Sequence, residues 1–284
     1  MGHFKSIGKD SKRRKNIYLL EAIANFWIRS EAKQLRYPKI RDPYRGKLFT
    51  IGSYRFGVHS RFDDIDVLLI VPSWIASNNI TDVDLYNRFC EELMRNSQTR
   101  YAHVVNCYSK RSIRTEIRDI KFDIIIVETI ADNISDKFKI LERNNHSFWE
   151  DEKDINYFNE AVNARFALDM VYSKPVYRTA LKAIRLWARK RGFYSKPLGY
   201  LNGVSLAILT CRICQLLPME SAERIVYHFF RIYSQWDWFK PVKIRSDTNF
   251  QNLNSHILLV FEKIRLDDGR NCMYSYLLSL ISCY

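Results

Sequence analysis

The chain has 284 residues, of which 47% are hydrophobic and 14% aromatic, a composition that excludes a disordered or fibrous protein. Lys and Arg number 45 against 31 Asp and Glu, and the resulting net charge of +14 favours a polyanionic partner, although a solvated basic surface is the alternative. The six cysteines show no framework spacing, no apolar run reaches the roughly 18 residues of a membrane span, and the N-terminus lacks a signal-peptide core. These features favour a reducing intracellular compartment and no membrane partner.

Helix and strand patterns alternate in the first half of the chain. Apolar residues at helical spacing predict an amphipathic helix over Ile17–Ala32. Two further segments, Asp82–Arg95 and Ser112–Ile117, fit either a helix or an edge strand. Short β-branched runs bounded by Gly, Pro, Asp or charged residues predict buried strands. These runs are Lys47–Ile51, Ile65–Val71 and Phe122–Val127.

Helical periodicity dominates after about residue 145. Helices are predicted over Glu160–Tyr172, Tyr177–Arg191, Val204–Leu216 and Ala222–Ser234. The segment "KPLGYLNG" at Lys196–Gly203 is predicted to be a loop. A boundary in "NNHSFWEDEKD" divides the chain into a first domain over residues 16–148 and a mainly helical second domain, with a divergent C-terminal tail, over residues 149–284.

Three carboxylates lie at the start of the second predicted strand, in "SRFDDIDVLLIV". Because alternate side chains of an extended chain share a face, Asp64 and Asp66 are predicted to point the same way and Asp63 the opposite way. Two adjacent carboxylates repel one another unless a cation lies between them, and Mg²⁺ binds one or two carboxylates together with phosphate oxygens. The alternative is a solvent-facing group of turn-capping residues, which a bare D-x-D pattern favours.

Two further features favour a metal site. Gly52 allows a phosphate to approach the backbone, and Ser53 offers a hydroxyl and an N–H. Asp123 precedes the wholly apolar run of "KFDIIIV", and a neighbouring strand would bring it beside the first pair. A site with two metal ions suits in-line displacement at phosphorus.

Four blocks of the sequence carry a family resemblance. "GSYRFGVHSRFDDID", "FDIIIV", "ALKAIRLWARKRGFYSKPLGYLNGVSLAIL" and "SQWDWFKPV" resemble the poly(A) polymerases of eukaryotic type, members of the polymerase-beta-like nucleotidyltransferase superfamily. Gly-Ser with D-x-D indicates only the superfamily, whereas "GSYRxGVH" and the long third block are specific to the poly(A) polymerase branch. The resemblance implies an α+β fold, with a mixed-sheet palm domain followed by a mainly helical central domain. It also implies template-independent addition of adenylate from ATP to RNA 3′ ends with two Mg²⁺ or Mn²⁺ ions.

The resemblance implies roles for individual residues. Asp64 and Asp66 would bind both metal ions, and Asp123 would complete the site of the ion that activates the primer 3′-OH. The residues implied to bind ATP are Gly52, Ser53, Ser60, Asn163, Arg185, Arg189, Tyr194, Gly203 and Val204. The chain departs from the family at three places: Arg185 stands where the family has Lys, Asn202 stands where it has the first of two glycines, and Phe62-Asp63 stand where it has small residues.

The third block also has a pattern of its own. Lys182, Arg185 and Arg189 are spaced to form one basic stripe on a helix, which suits a triphosphate, with a solvated basic face as the alternative. Gly192 is predicted to end that helix.

Three other features are interpreted as structural. "CRIC" at Cys211–Cys214 has C-x-x-C spacing but no second pair, so a metal or redox role is not expected. His59 is expected to be structural rather than a general base. Asp63, whose predicted direction is away from the metal, is expected to be replaceable.

The partners and the location follow from the resemblance. In the family, the helical domain is followed by an RNA-binding domain of RRM-like fold. The roughly 40 residues that follow Val242 do not match such a domain, so a compact form without it is expected. RNA would then be held by the basic surface, by a homodimer or by an accessory RNA-binding subunit. The nucleus is favoured over the cytoplasm, and "KRRK" at Lys12–Lys15 is either an import signal or a solvated arm. The alternative functions are a terminal transferase with another nucleotide preference, such as UTP, and a non-catalytic RNA-binding or processivity subunit.

Overall fold

The computed structural model describes residues 7–36, 44–60, 63–75, 82–107, 110–131, 134, 167–194, 200–238, 242 and 244. They form two compact units. The first unit comprises Met1–Arg55 and His59–Val162, and the second comprises Phe56–Val58 and Asn163–Tyr284. The predicted domain boundary at 148/149 and most of the predicted helix Glu160–Tyr172 lie outside the described residues.

The first unit is built on a mixed β-sheet. Its strands in the described ranges are β1 (Lys47–Thr50), β2 (Ile65–Pro72), β3 (Thr99–Cys107), β4 (Lys110–Ile117) and β5 (Ile120–Thr129). The spatial order is β1-β2-β5-β4-β3, in which β2 and β5 are parallel and the other neighbours antiparallel. The three predicted strands are confirmed within a few residues at each end, and the predicted mixed sheet is confirmed.

The helical segments that accompany this sheet are α1 (Ile7–Gln34), the short α2 (Gly52–Phe56), a 3₁₀ turn (Ser73–Ile75) and α3 (Asp82–Arg95). Helices α1 and α3 cover one face of the sheet. Side chains from α1 and α3, such as Trp27 and Phe89 with ring centroids 4.8 Å apart, pack with the inward residues of the strands. This buried layer requires alternation along each strand, so the other residues of β2 and β5 face away from it.

Two segments of the first unit differ from the prediction. Helix α1 begins at Ile7 rather than Ile17, because its polar first turns have no apolar period but are held by tertiary bonds, including Asn16 Nδ2 to the Ile117 carbonyl at 3.2 Å. Ser112–Ile117 lies in β4, which has a neighbour on each side, whereas the edge of the sheet is β3. Strand β3 was not predicted, because its polar residues interrupt the apolar pattern of a strand.

The second unit contains helices α4 (Lys174–Lys190), α5 (Gly203–Leu216) and α6 (Ala222–Ser234). Their apolar faces form one core that includes Tyr177, Leu206 and Tyr233. No helix in the described ranges is both long enough and apolar enough to cross a membrane.

Helix α4 ends as predicted at Gly192. This residue has φ 77°, the Phe193 N–H donates to the Ala188 carbonyl at 2.9 Å, and the Gly192 N–H donates to the Arg189 carbonyl at 3.3 Å. These two bonds form a Schellman motif, in which a glycine adopts the left-handed conformation without a Cβ penalty.

Candidate active site

Two of the predicted metal ligands are direct neighbours in the sheet. Asp66 on β2 pairs with Asp123 on β5, between the pairs Ile65–Phe122 and Val67–Ile124. The flanking pairs belong to the buried core, so alternation places both carboxylates on the opposite face of the sheet. Both acids are half-buried. The strands therefore hold two carboxylates side by side, on the face of the sheet away from α1 and α3.

Gly52 lies against the first of these carboxylates. The Ile51 N–H donates to the Asp66 carbonyl at 2.9 Å, and Gly52 follows with φ 57°. A Cβ at Gly52 would lie 2.5 Å from Asp66 Oδ2. Glycine is therefore required both by the left-handed backbone and by the close approach of the carboxylate.

Asp64 occupies a different environment. It precedes β2 and is exposed. Of the residues that the structure describes, no group of three or more His, Cys, Asp or Glu side chains is placed to hold a metal ion. The structure therefore brings Asp66, Asp123 and Gly52 together, and the role of Asp64 as a third ligand stays a prediction.

The donor set fits a hard divalent cation. Mg²⁺ is usually held by one or two carboxylates together with substrate phosphates and water, and Mn²⁺ prefers the same oxygen ligands. Asp66 and Asp123 provide that number of carboxylates. The missing Cβ of Gly52 leaves the Asp66 oxygen next to bare backbone. The pair alone fits a metal that is completed by the substrate.

A basic residue that the sequence did not predict extends this row. Arg114 on β4 pairs with Asp123, and His103 on β3 pairs with Arg114. Directly opposite residues share a face of the sheet, so these two exposed side chains lie on the same face as the carboxylates. The Tyr101 and His103 rings are 5.6 Å apart. Arg114 could have been found only if β4 had been assigned as the strand next to β5.

Ser60 and Asp63 bond to each other. The Ser60 N–H donates to Asp63 Oδ2 at 3.0 Å, and the Ser60 hydroxyl donates to Asp63 Oδ1 at 2.6 Å. The Asp63 carboxylate thus closes a local turn, as Asp side chains commonly do. The predicted role of Ser60 in binding ATP is not tested by this geometry, and Ser53, in α2, is half-buried.

Arg185 is buried in the second unit. Only 6% of it is exposed, whereas Lys182 is half-buried and Arg189 is exposed. Arg185 Nη1 donates to the Val58 carbonyl at 2.9 Å, and Nη2 donates to the Tyr194 hydroxyl at 3.3 Å. A solvated basic face is therefore wrong for Arg185, because this turn of α4 packs into the core. A planar fork makes both bonds at once, which a Lys at this position cannot do.

Two guanidinium groups lie close to the Tyr194 ring. The Arg185 and Arg189 guanidinium carbons are 5.7 and 5.1 Å from its ring centroid. A Cβ at Gly203 would lie 2.6 Å from the Tyr194 hydroxyl. The structure thus brings these four predicted residues together, with the half-buried Val204 next to Gly203.

Asn202, the departure from the family's two glycines, is the N-cap of α5. Its side-chain oxygen accepts a hydrogen bond from the Ser205 N–H at 2.8 Å. Such a bond satisfies one of the free N–H groups of the first helical turn, which a glycine at this position would leave open. Asn163, the other predicted nucleotide contact, lies outside the described residues.

The C-x-x-C pair lies inside α5 rather than at a metal site. Cys211 and Cys214 are both buried. Burial raises the pKa of the Cys214 thiol to about 12 and raises the pKa of Cys211 further. Thiols in such surroundings are poor nucleophiles and poor metal ligands.

The family comparison covers both halves of the chain. A sequence model described as the nucleotidyltransferase domain of poly(A) polymerase matches residues 1–148, and one described as the poly(A) polymerase central domain matches residues 176–264. The chain belongs to the poly(A) polymerase family. The resemblance of the four sequence blocks is confirmed, and so is the predicted order of a mixed-sheet domain and a helical domain.

Individual members of the poly(A) polymerase family are similar over most of the chain. A poly(A) polymerase of Dictyostelium discoideum is 32% identical over 241 residues, which cover 84% of this chain and 29% of that protein. The nuclear poly(A) polymerase 2 of Arabidopsis thaliana is 28% identical over 249 residues, which cover 86% of this chain and 30% of that protein. The chain thus spans less than a third of the length of these two curated relatives.

A solved structure shares the fold. The structure of a cytoplasmic RNA terminal U-transferase superposes with a TM-score of 0.53 over 85% of this chain and 72% of that one, at 14% identity. At that identity the similarity concerns the fold alone.

Proposed function

We propose that the protein adds adenylate from ATP to RNA 3′ ends without a template, as in polyadenylation of mRNA. The observation that carries the proposal is the Asp66–Asp123 pair against Gly52, in a chain of the poly(A) polymerase family. Two carboxylates on adjacent parallel strands, with a glycine that lets one of them approach the backbone closely, suit nucleotidyl transfer from a metal-bound triphosphate.

The first unit supplies the catalytic residues in this proposal. Asp66 and Asp123, with Asp64 as the third carboxylate, would hold two Mg²⁺ or Mn²⁺ ions, and Gly52 and Ser53 would receive the triphosphate. Bound metal would polarise the reacting phosphate and stabilise the attacking and leaving oxygens. In the reaction, the primer 3′-OH loses its proton to solvent, and its oxygen forms a bond to the α-phosphorus of ATP as the bond to the bridging oxygen breaks and pyrophosphate leaves.

The primer is proposed to lie next to Asp123, along the exposed Arg114 and His103 side chains of β4 and β3. Arg114 is the cross-strand neighbour of Asp123, and His103 follows on β3. A cation beside the acidic pair suits an RNA phosphate, and the His103 and Tyr101 rings offer surfaces on which bases stack. The net charge of +14 supports the same partner.

The second unit is proposed to contribute contacts to the nucleotide. The family resemblance implies ATP contacts for Arg189 and Tyr194, and it is supported by the exposure of Arg189 and by its position beside the Tyr194 ring. Arg185 is buried and bonded to Val58 and Tyr194, which favours a role in placing Tyr194 over a direct grip on phosphate.

The location and further partners are also proposals. The nuclear name of the Arabidopsis relative favours the nucleus over the cytoplasm. The "KRRK" segment lies within α1 and its Arg13 is 6% exposed, which argues against an extended import signal. Either a homodimer or an accessory RNA-binding subunit would supply additional RNA contacts.

Primer extension with single nucleotides tests the proposal. A labelled RNA is incubated with purified protein, Mg²⁺ or Mn²⁺, and ATP, UTP, GTP or CTP separately. Long extension is expected with ATP and not with UTP, GTP or CTP. The Asp66→Asn variant is expected to extend no primer, and the Asp119→Asn variant is expected to extend it as the wild type does. Preferred extension with UTP would favour a uridylyl transferase, and RNA binding without any extension would favour a non-catalytic subunit.

A further inference from the structure

The first turns of α1 bond to the segment that leads into the catalytic strand. Asp10 Oδ1 lies 3.2 Å from His59 Nε2, and Arg13 Nη2 donates to the Asp63 carbonyl at 2.9 Å. Asp10 and Arg13 are three residues apart, so they lie on one face of the helix. The same helix face thus contacts the chain both before and after Ser60.

Arg13 differs from the basic residues beside it. Lys12, Arg14 and Lys15 are exposed, whereas Arg13 is 6% exposed. Burying a guanidinium costs free energy unless its N–H groups are hydrogen-bonded. Its bond to the Asp63 carbonyl is charge-assisted and therefore stronger than a bond between neutral groups. Arg13 is thus part of the internal structure of the first unit.

The carbonyl that Arg13 holds belongs to the peptide bond between Asp63 and Asp64. That peptide leads directly into β2, where the Asp66 carbonyl is held by the Ile51 N–H at 2.9 Å. The backbone on both sides of the Asp64 α-carbon is therefore fixed, although the Asp64 side chain itself is exposed. If the Arg13 bond is lost, the first of these two anchors is lost with it.

We propose that Arg13 is a positioning residue that fixes the backbone just before β2 and so sets the direction of the Asp64 carboxylate, while Asp10 on the same helix face holds His59. This role rests on the proposed function, because it matters only if Asp64 and Asp66 bind metal together. Residues that orient metal ligands commonly change metal affinity or activity by about 10- to 100-fold when they are replaced.

The test compares two neighbouring arginines. Arg13→Gln removes the buried charge and shortens the side chain, and Arg14→Gln makes the same chemical change on the exposed face. Three quantities are measured in the full chain: amide hydrogen exchange of the peptide covering residues 59–66, Mn²⁺ binding followed by the EPR signal of free Mn²⁺, and kcat and KM for ATP incorporation.

Arg13→Gln is expected to speed exchange in residues 63–66, to weaken Mn²⁺ binding by about tenfold and to lower kcat more than it raises KM. Arg14→Gln is expected to resemble the wild type in all three. Arg13→Lys keeps the charge and is expected to recover part of the loss. If Arg13→Gln does not fold, Arg13→Lys and Asp10→Asn carry the same comparison with smaller changes.

The inference is overturned if the Arg13 variants have the same amide hydrogen exchange, Mn²⁺ affinity and kinetic constants as Arg14→Gln. A uniform fall in thermal stability with unchanged Mn²⁺ binding also overturns it, because a merely structural arginine would behave in that way. Failure of the proposed function gives a different result: the wild-type protein would then extend no primer, whereas the hydrogen-exchange comparison would still report whether Arg13 fixes the backbone before β2.

Discussion

Asp66 and Asp123 are cross-strand partners on the parallel strands β2 and β5. Neighbouring strands lie about 4.8 Å apart, so the sheet itself holds two negative charges close together. Such a pair opposes folding unless a cation lies between the charges. A fold that keeps this arrangement is therefore better suited to a metal-bound state than to a metal-free one.

Replacing one acid of the pair is expected to lower ATP incorporation without lowering the stability of the metal-free protein. Asp66→Asn and Asp123→Asn are expected to lower ATP incorporation at least about a hundredfold, because several kcal/mol of transition-state stabilisation are lost with the metal. Without metal, both variants are expected to unfold at the same or a higher temperature than the wild type, since the charge repulsion is gone. Mg²⁺ should raise the melting temperature of the wild type but not of the variants.

Asp119→Asn is the matched control for this experiment. Asp119 is an exposed residue between β4 and β5 and pairs with Lys12 at 2.9 Å. Its replacement makes the same chemical change and should leave incorporation and the Mg²⁺ effect intact. Normal activity in Asp66→Asn would contradict the assignment of the catalytic pair.

Two glycines separate backbone strain from steric conflict. Gly52 and Gly192 both have positive φ, at 57° and 77°, so Ala at either position is expected to cost about 1–2 kcal/mol of unfolding free energy. Only at Gly52 does the new Cβ meet a carboxylate, 2.5 Å from Asp66 Oδ2, whereas no atom of the described residues lies within 4 Å of a Cβ at Gly192. Gly52→Ala should therefore also lower incorporation by about a hundredfold, the effect of a misplacement near 1 Å.

Urea unfolding and single-nucleotide extension measure the two effects. Equal losses of activity in both variants would mean that strain, rather than contact with Asp66, is responsible.

The sequence predicted the core of the site because its signals are local. Alternation placed Asp64 and Asp66 on one face and Asp63 on the other, and the acid before the apolar run of β5 suggested Asp123 as the partner. Arg114 was not predicted, because β4 mixes Ser, Arg, Thr and Glu and its pattern did not distinguish a strand from a helix. Its role depends on sheet order, which results from contacts distant in sequence.

Besides the order of the strands, the sequence pattern did not predict which charged side chains are buried. Helical spacing assigned Arg185 to a basic stripe, yet its acceptor is the carbonyl of Val58, 127 residues away. The same holds for Arg13, whose acceptor Asp63 is 50 residues away. The Ser60–Asp63 turn, in contrast, spans three residues and is a known local habit of Asp.

Arg185→Lys tests the effect of the residue that the family has at this position. A Lys keeps the charge but makes one of the two bonds, so the unfolding free energy is expected to fall by about 1–3 kcal/mol. Tyr194→Phe removes only the acceptor of Arg185 Nη2 and should cost less, and the double variant should be less destabilised than the sum. Arg189→Gln is the contrasting variant. Because Arg189 is exposed, its replacement should raise KM for ATP and have little effect on the unfolding free energy. Additive losses in the double variant would contradict the Arg185–Tyr194 bond.

The buried thiols are expected to resist alkylation. Burial raises the pKa of Cys90 to about 11 and of Cys214 to about 12, so the reactive thiolate is scarce below pH 10 in the folded protein. Iodoacetamide at pH 8 should leave Cys90, Cys211 and Cys214 unmodified in the native protein and modify all three in urea. Peptide mass spectrometry measures the extent of modification. Alkylation of native Cys214 at the denatured rate would show that the thiol is not protected.

Asp63 and Ser60 allow the replaceability of Asp63 to be tested together with the role of Ser60. Asp63→Asn keeps one side-chain oxygen as an acceptor and should retain most activity, as expected for an acid outside the metal site. Asp63→Ala loses both bonds to Ser60 and should lower the unfolding free energy by about 1–2 kcal/mol.

Ser60→Ala then separates the two roles of the hydroxyl. If the hydroxyl serves only Asp63, Ser60→Ala lowers stability, leaves KM for ATP unchanged, and couples with Asp63→Ala by about 0.5 kcal/mol or more. If it also binds ATP, as the family resemblance implies, KM rises in Ser60→Ala but not in Asp63→Asn. Measurement of KM and urea unfolding for the three single variants and the double variant decides between these two roles of the hydroxyl. If Asp63→Asn loses as much activity as Asp66→Asn, Asp63 is not replaceable.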